Sequence, residues 1–527
     1  MRPFTAQPAA PLACAVVALS LAFSALACSR ADVPSPAGSG SPPVAVAPSA
    51  TVSEGPPPTP EATATESPAP TLAAPVPLVS PTFPPTVTAE TGAGSETVVY
   101  ESQAGDTPRT IAVRFGVLPS DLASRGARLP ANENSLVDIG TRLIIPRRLT
   151  STGPAEKLIP DSEVVFSPNA ADFNVSSFAR NLGGYLTRYQ EYVGGDMRSG
   201  PEVVAIVARD NSVNPRLLLA LLEYQSGWVT NPTRPGGDAW KYPMGRIDPG
   251  DAGLYHQLVW AANELGNGYY GWRSGTLTEV RMKDGIKIRL APELNAGTVA
   301  LQWYFSLRDA TQVWAADVGP DGFLATYQRL FGDPEDYYHP LYEPGLEQPE
   351  MILPFLKGRV WSFTGGPHGA WEREAAWAAL DFAPSTAVPG CTVSDDWAVA
   401  AAPGLVVRSG NGVVVLDLDG DGREQTGWDL LYLHIASSQR VAAGTFLQAG
   451  DLIGHPSCEG GVATGTHIHI ARKYNGEWIL ADGALPFTLS GWQARAGTKA
   501  YEGALVKEGE PTVLACPCAS KETLISR

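Results

Sequence analysis

Five of the chain's seven histidines, His368, His434, His455, His467 and His469, lie within about a fifth of its length. Imidazole binds zinc and exchanges protons near neutral pH, so this clustering points to metal-assisted or acid–base chemistry. Thr466-His467-Ile468-His469-Ile470 reads as an extended run whose alternate side chains share a face, so His467 and His469 project side by side. One can bind a metal while the other works beside it. Two more segments have strand-like surroundings: Leu430-Leu431-Tyr432-Leu433-His434, and Ala378-Ala379-Leu380-Asp381-Phe382, where an acid interrupts an apolar run. An unpaired carboxylate there would be costly to bury, and coordination to a cation removes that cost. The third candidate ligand is His368, in Thr364-Gly365-Gly366-Pro367-His368-Gly369, where glycines let the backbone turn a side chain into a site.

Gly-Gly-Pro-His, then Asp381 thirteen residues on, then Tyr-Leu-His and His-Ile-His, resembles the β-lytic (staphylolysin-like) branch of the lysostaphin/LytM-type zinc endopeptidases over roughly residues 355 to 495. The resemblance implies zinc on His368, Asp381 and His469, with His434 and His467 acting on the substrate. The larger LytM branch has His-x-x-x-Asp, and that spacing would put Trp377 in the ligand position, where no zinc could bind. Two imidazoles and one carboxylate leave a fourth position open on tetrahedral zinc, as in catalytic rather than closed structural sites. There is no His-Glu-x-x-His segment to supply a glutamate base, so proton transfer should fall to His434 and His467. The expected reaction is hydrolysis of an amide bond, which the resemblance places in peptidoglycan peptides. The rival expectation is an inactive LysM/LytM lipoprotein that binds the wall and regulates separate amidases. His455, in Gly454-His455-Pro456, is expected to be structural.

Within the same region, Asp417, Asp419 and Asp421 resemble the start of a calcium loop, but position twelve is Trp428 rather than a bidentate glutamate, and a solvated hairpin turn is the alternative. Outside the leader and Cys28, four cysteines remain, which suits an oxidising compartment; three pairings are open, and Cys391 with Cys458 is the expected one because both flank the proposed site segments. Cys516-Pro517-Cys518 can pair locally or bind metal.

The elements that carry this site sit at the end of a long chain. Arg2 precedes an apolar stretch from about Ala9 to Ala27, ending Ser24-Ala25-Leu26-Ala27-Cys28, which reads as a lipoprotein signal peptide over residues 1–28 with Cys28 lipidated. An uncleaved anchor and simple secretion are the alternatives; all three place the functional part outside the cytoplasm. Residues 29–96 turn to Pro, Ala, Thr and Ser with few charges, a composition expected to form a disordered tether. Residues 97–147, with Gly105-Asp106-Thr107 leading into a short helix and Leu143-Ile144-Ile145-Pro146 closing, resemble a LysM module, a βααβ fold that binds peptidoglycan glycans; Asp106 or Thr107 can cap the first helix.

Residues 155–350 read as mostly helical. Asn214 to Trp228 resembles the catalytic helix of lytic transglycosylases, but Gln225 stands where that family has its glutamate, and Glu223 lies about 200° away around the helix, so a lysozyme-like domain without lytic activity is expected. Alternation around Asp284-Gly285 predicts a hairpin there. The expected fold class is therefore multidomain α+β: LysM module, helical middle domain, antiparallel β-rich zinc peptidase at 355–495, and a C-terminal extension at 496–527. A net charge of −16 argues against a nucleic-acid partner.

Overall fold

The computed structural model describes residues 97–126, 128–371, 376–385, 387, 390–518 and 520–527. The leader, Cys28 and the tether lie outside the described residues.

The N-terminal module is a three-stranded antiparallel sheet, β1 (Thr97–Glu101), β2 (Ala123–Ser124) and β3 (Arg142–Pro146) in the order β1-β3-β2, against one helix, α1 (Pro108–Phe115). Thr107 rather than Asp106 caps α1, accepting from the Thr110 amide, and Pro108 sits in the first helical turn, where its missing N–H costs nothing. Asp106 is buried and pairs with Arg114 instead. The expected second helix is a single 3-10 turn, Pro119–Asp121, too short to give a βααβ unit.

The middle region contains α2 (Val175–Leu182), the hairpin β4 (Gln190–Val193) and β5 (Asp196–Ser199), α3 (Gly200–Asn211), α4 (Pro215–Ser226) and α5 (Leu254–Ser274). It continues with β6 (Glu279–Arg281), β7 (Lys287–Arg289), α6 (Ala296–Ser306), α7 (Thr311–Asp317) and α8 (Phe323–Phe331). The β6–β7 pair is the hairpin read around Asp284-Gly285, with Arg281 opposite Lys287. Glu223, near the end of α4, is committed to structure: its carboxylate accepts from the amides of Val229 and Thr230 and from the Thr230 hydroxyl.

The C-terminal region is β-rich. Its strands are β8 (Val360–Gly369), β9 (Trp377–Pro384), β10 (Ala398–Val399), β11 (Gly404–Gly410), β12 (Val413–Asp417), β13 (Trp428–Leu433), β14 (Phe446–Leu447), β15 (Leu452–Gly454), β16 (Ile468–Tyr474) and β17 (Glu477–Trp478). After them come β18 (Thr488–Leu489), β19 (Trp492–Ala496), β20 (Gly503–Val506), β21 (Val513–Leu514) and β22 (Leu524–Ser526). The main sheet runs β14-β11-β12-β13-β16-β9-β8-β22, with β17 pairing β16, and every pairing is antiparallel. Residues 496–527 are built into this region, since β20 pairs with β19 and β22 extends the main sheet beside β8.

Both faces of the sheet are buried, which is why its central strands are almost continuously apolar. Leu380, Phe382, Val414, Leu416, Leu430, Tyr432 and Ile470 face one core, made within the β-rich region. Ala379, Val413, Val415, Leu431, Leu433 and Ala471 face the other way, into the core of the helical region, against residues such as Val207, Leu218 and Tyr269. Buried polar contacts fasten this junction: Glu477 accepts from Tyr269 at 2.9 Å, Tyr342 at 3.0 Å and Arg273 at 3.0 Å. Arg408 of β11 bridges Asp210 of α3 and Glu424.

Candidate metal centre

Three neighbouring strands carry the three candidate ligands. His469 stands opposite Asp381 in the β16–β9 pairing, and both are in phase with Ala471 and Ala379, so they lie on the sheet face turned toward the helical region. His368 reaches the same point through a bulge in β8. Gly365 pairs with Asp381 and His368 with Ala379, so three steps on one strand match two on the other. The glycines are required: a Cβ on Gly365 would come within 2.5 Å of Asp381 Oδ2, and one on Gly366 within 2.5 Å of the Glu502 carbonyl oxygen.

His368 Nε2, His469 Nδ1 and Asp381 Oδ1 converge, at 3.0 Å between the two rings and 3.2 and 3.3 Å from each ring to the carboxylate. The opposite nitrogens donate to backbone carbonyls, His368 Nδ1 to Gly366 at 2.8 Å and His469 Nε2 to Ala370 at 2.9 Å. In the neutral rings both inward nitrogens are therefore bare lone pairs, facing each other and a carboxylate oxygen that has no hydrogen-bond partner although it is buried. Three converging acceptors repel unless a cation lies between them. Tetrahedral zinc, with bonds of about 2.0–2.1 Å, spaces its ligand atoms about 3.3 Å apart. The donor set fits it, and the carbonyl-anchored rings are the usual outer support for such ligands.

His434 and His467 flank this group, their ring centroids 4.5 Å apart. His434 Nδ1 donates to the Glu459 carbonyl at 2.9 Å and His467 Nδ1 to that of Gly465 at 2.7 Å, so each neutral ring keeps Nε2 free. His467 Nε2 lies 3.9 Å from Asp381 Oδ1. His434 follows the end of β13 with φ at +66°, a conformation that non-glycine residues adopt rarely and often at functional sites. Burial, and next the neighbouring His467 and His469, push its pKa down to about 3.

The structure brings together all five residues singled out from the sequence for zinc and catalysis. His455 stands apart, bonded to the Asp396 carbonyl and Gln439 and packed at a tilt against Trp397. Asp417, Asp419 and Asp421 do gather, but Asp417 spends its oxygens on the amides of Asp419, Gly420 and Gly422. Closing a hairpin turn accounts for that cluster without calcium. Cys391–Cys458 and Cys516–Cys518 form disulfides. One residue was missed: Tyr501, whose ring stacks on His368 at 4.1 Å and whose carbonyl accepts from the Gly366 amide. It lies in the segment read as an extension, and a lone tyrosine there carries no sequence signal.

The chain's two-histidine, one-carboxylate centre thus lies on an antiparallel sheet backed by a helical region, and the chain is similar to LasA proteases. The family model described as LasA, N-terminal domain matches residues 157–344. The particular relatives are Protease LasA of Pseudomonas aeruginosa strain PAO1, 28% identical over 315 residues covering 55% of this chain and 69% of the relative, and its counterpart in strain UCBPP-PA14, 27% identical over 314 residues with the same coverage. Among solved structures, the deep-sea M23 metalloprotease pseudoalterin is 22% identical, covering 32% of this chain and 96% of its own, with a TM-score of 0.27. The catalytic domain of the antimicrobial peptidase lysostaphin from Staphylococcus simulans is 20% identical, covering 23% and 87%, with a TM-score of 0.17.

Proposed function

We propose that this chain is a zinc metalloendopeptidase that hydrolyses the peptide cross-links of peptidoglycan. The observation that carries the proposal is the convergence of His368 Nε2, Asp381 Oδ1 and His469 Nδ1 within 3.3 Å, with both ring tautomers fixed from behind. Zinc bound there would polarise a scissile carbonyl and make water nucleophilic near neutral pH. His434, with Nδ1 bound to the Glu459 carbonyl, offers Nε2 to take up a proton, while His467 stands beside it to donate to the developing oxyanion or the leaving amine.

The peptidoglycan assignment draws on the family resemblance and on the order of parts. A leader ending in Cys28 would anchor the protein to the membrane by a lipid, the Pro- and Ala-rich tether would span outward, and the 97–147 module would hold glycan. Secretion without the anchor is the lesser alternative; among the described residues no helix is long and apolar enough to cross a membrane. The test is metal content of the purified full chain together with digestion of peptidoglycan with and without a chelator. One zinc per chain and chelator-sensitive release of peptide fragments is the expected result; a folded, zinc-free protein that leaves the wall intact would overturn it.

A further inference from the structure

The metal ligands are held by the sheet, but the two histidines that face substrate are not held by it in the same way. His434 lies beyond the end of β13 in a left-handed conformation, and His467 immediately precedes β16. Their support comes from two loop segments joined by one covalent bond, beside hydrogen bonds from the His467 amide to the Ser457 carbonyl at 3.4 Å and from the Ser394 amide to the Pro456 carbonyl at 3.0 Å. On one side, the Ser457 amide and hydroxyl donate to the His434 carbonyl at 2.7 and 2.9 Å, and the Glu459 carbonyl fixes the His434 ring at 2.9 Å. Cys458 is the residue between those two supports. On the other side, the Thr466 amide donates to the Gly390 carbonyl at 3.1 Å and the Thr392 amide to the Thr466 hydroxyl at 3.1 Å, pinning the residue before His467. Cys391 is the residue between Gly390 and Thr392. The Cys391–Cys458 bridge, with its Cα atoms 5.5 Å apart across 67 residues of chain, thus joins the midpoint of the His434 support to the midpoint of the His467 support.

We propose that this disulfide is a positioning device that fixes the spacing of His434 and His467 over the metal centre, a role that rests on the peptidase assignment above. The zinc ligands should not depend on it, since His368, Asp381 and His469 are placed by the β8–β9–β16 pairings. Loss of the bridge would therefore separate two properties that loss of a ligand removes together: the metal stays and turnover falls.

The test uses the full chain carrying C14S, C28S, C516S and C518S, so that Cys391 and Cys458 are the two cysteines left. Three forms are compared: oxidised, reduced with a dithiol and alkylated at both cysteines, and reduced and rejoined through a single methylene between the two sulfurs. The expected result is one zinc in every form, with kcat of the alkylated form lowered about tenfold to a hundredfold. KM should stay within about twofold, since ground-state binding is not the property lost, and the methylene-linked form should recover most of the rate. In ring-nitrogen NMR spectra, the His434 and His467 signals should shift on opening the bridge while those of His368 and His469 hold. An alkylated form that turns over at the parent rate, or that loses zinc together with activity, overturns the proposal, as does a zinc-loaded methylene-linked form that stays slow. If no form hydrolyses peptide, the peptidase assignment fails, and the ring signals alone decide on the bridge: it stands if His434 and His467 move and falls if they do not.

Discussion

His434 and His469 lie close in space, their ring centroids 6.4 Å apart, yet their surroundings assign them separate tasks. Replacing His469 with alanine deletes one of three converging donors, so zinc content should fall toward zero and activity with it. Replacing His434 should leave about one zinc per chain while lowering kcat by about two to four orders of magnitude, the usual contribution of a positioned acid or base. Metal analysis beside a peptide-release assay distinguishes the two; a His434→Ala protein without metal would make His434 a ligand. These side chains were legible in the sequence because imidazoles and a carboxylate in apolar strands are chemically conspicuous. Their partners were not. The carbonyls of Gly366, Ala370, Gly465 and Glu459 fix all four rings, and a backbone carbonyl has no sequence signature.

Among the elements, the bulge in β8 and the tip of the β12–β13 hairpin bear the most consequence. A methyl group on Gly365 would collide with Asp381, so Gly365→Ala should weaken zinc affinity by about tenfold to a hundredfold, read by competition with a chromogenic chelator. Near the hairpin, Glu424 is held between Arg408 and Lys473. Burial raises its pKa, but Lys473 and Arg408 outweigh burial and bring it from 4.5 to about 2. Its contribution is therefore fully present above about pH 4.5 and lost as pH falls toward 2, a loss of about 3 kcal/mol. Glu424→Gln should flatten the dependence of the urea midpoint on pH across that window; an unchanged slope would mean the pair carries no such coupling. Apolar, alternating runs announce strands here, but not the burial of Arg472, Lys473 and Glu477 near their ends. A charged end to a strand ordinarily faces water, and only the helical region covering it makes these residues interior.

For the whole molecule, the boundary drawn between a middle domain and a peptidase is a boundary in sequence rather than in packing. The sheet face bearing Asp381 and His469 is also a wall of the helical core. A fragment beginning near residue 351 would expose Val413, Val415, Leu431 and Ala471 to water and leave Glu477 and Arg408 without their partners in the helical region. It should accordingly aggregate or unfold at much lower denaturant than the chain from residue 97, by light scattering and urea titration. An equally stable, monomeric fragment would refute this. Apolar strands signalled a buried sheet but could not say what buried its second face, because periodicity reports that a surface is covered and not by which segment.

The pairing of β8 with β22 carries a kinetic consequence. Strand β8 holds His368, and its outer neighbour is residues 524–526, more than 150 positions later in the chain. Contacts across such separations form late, after the intervening loop has been closed. While the chain is being made from its N-terminus, the strand with the first metal ligand waits with one edge unpaired, and the metal centre acquires its final surroundings only after residues 524–526 have emerged.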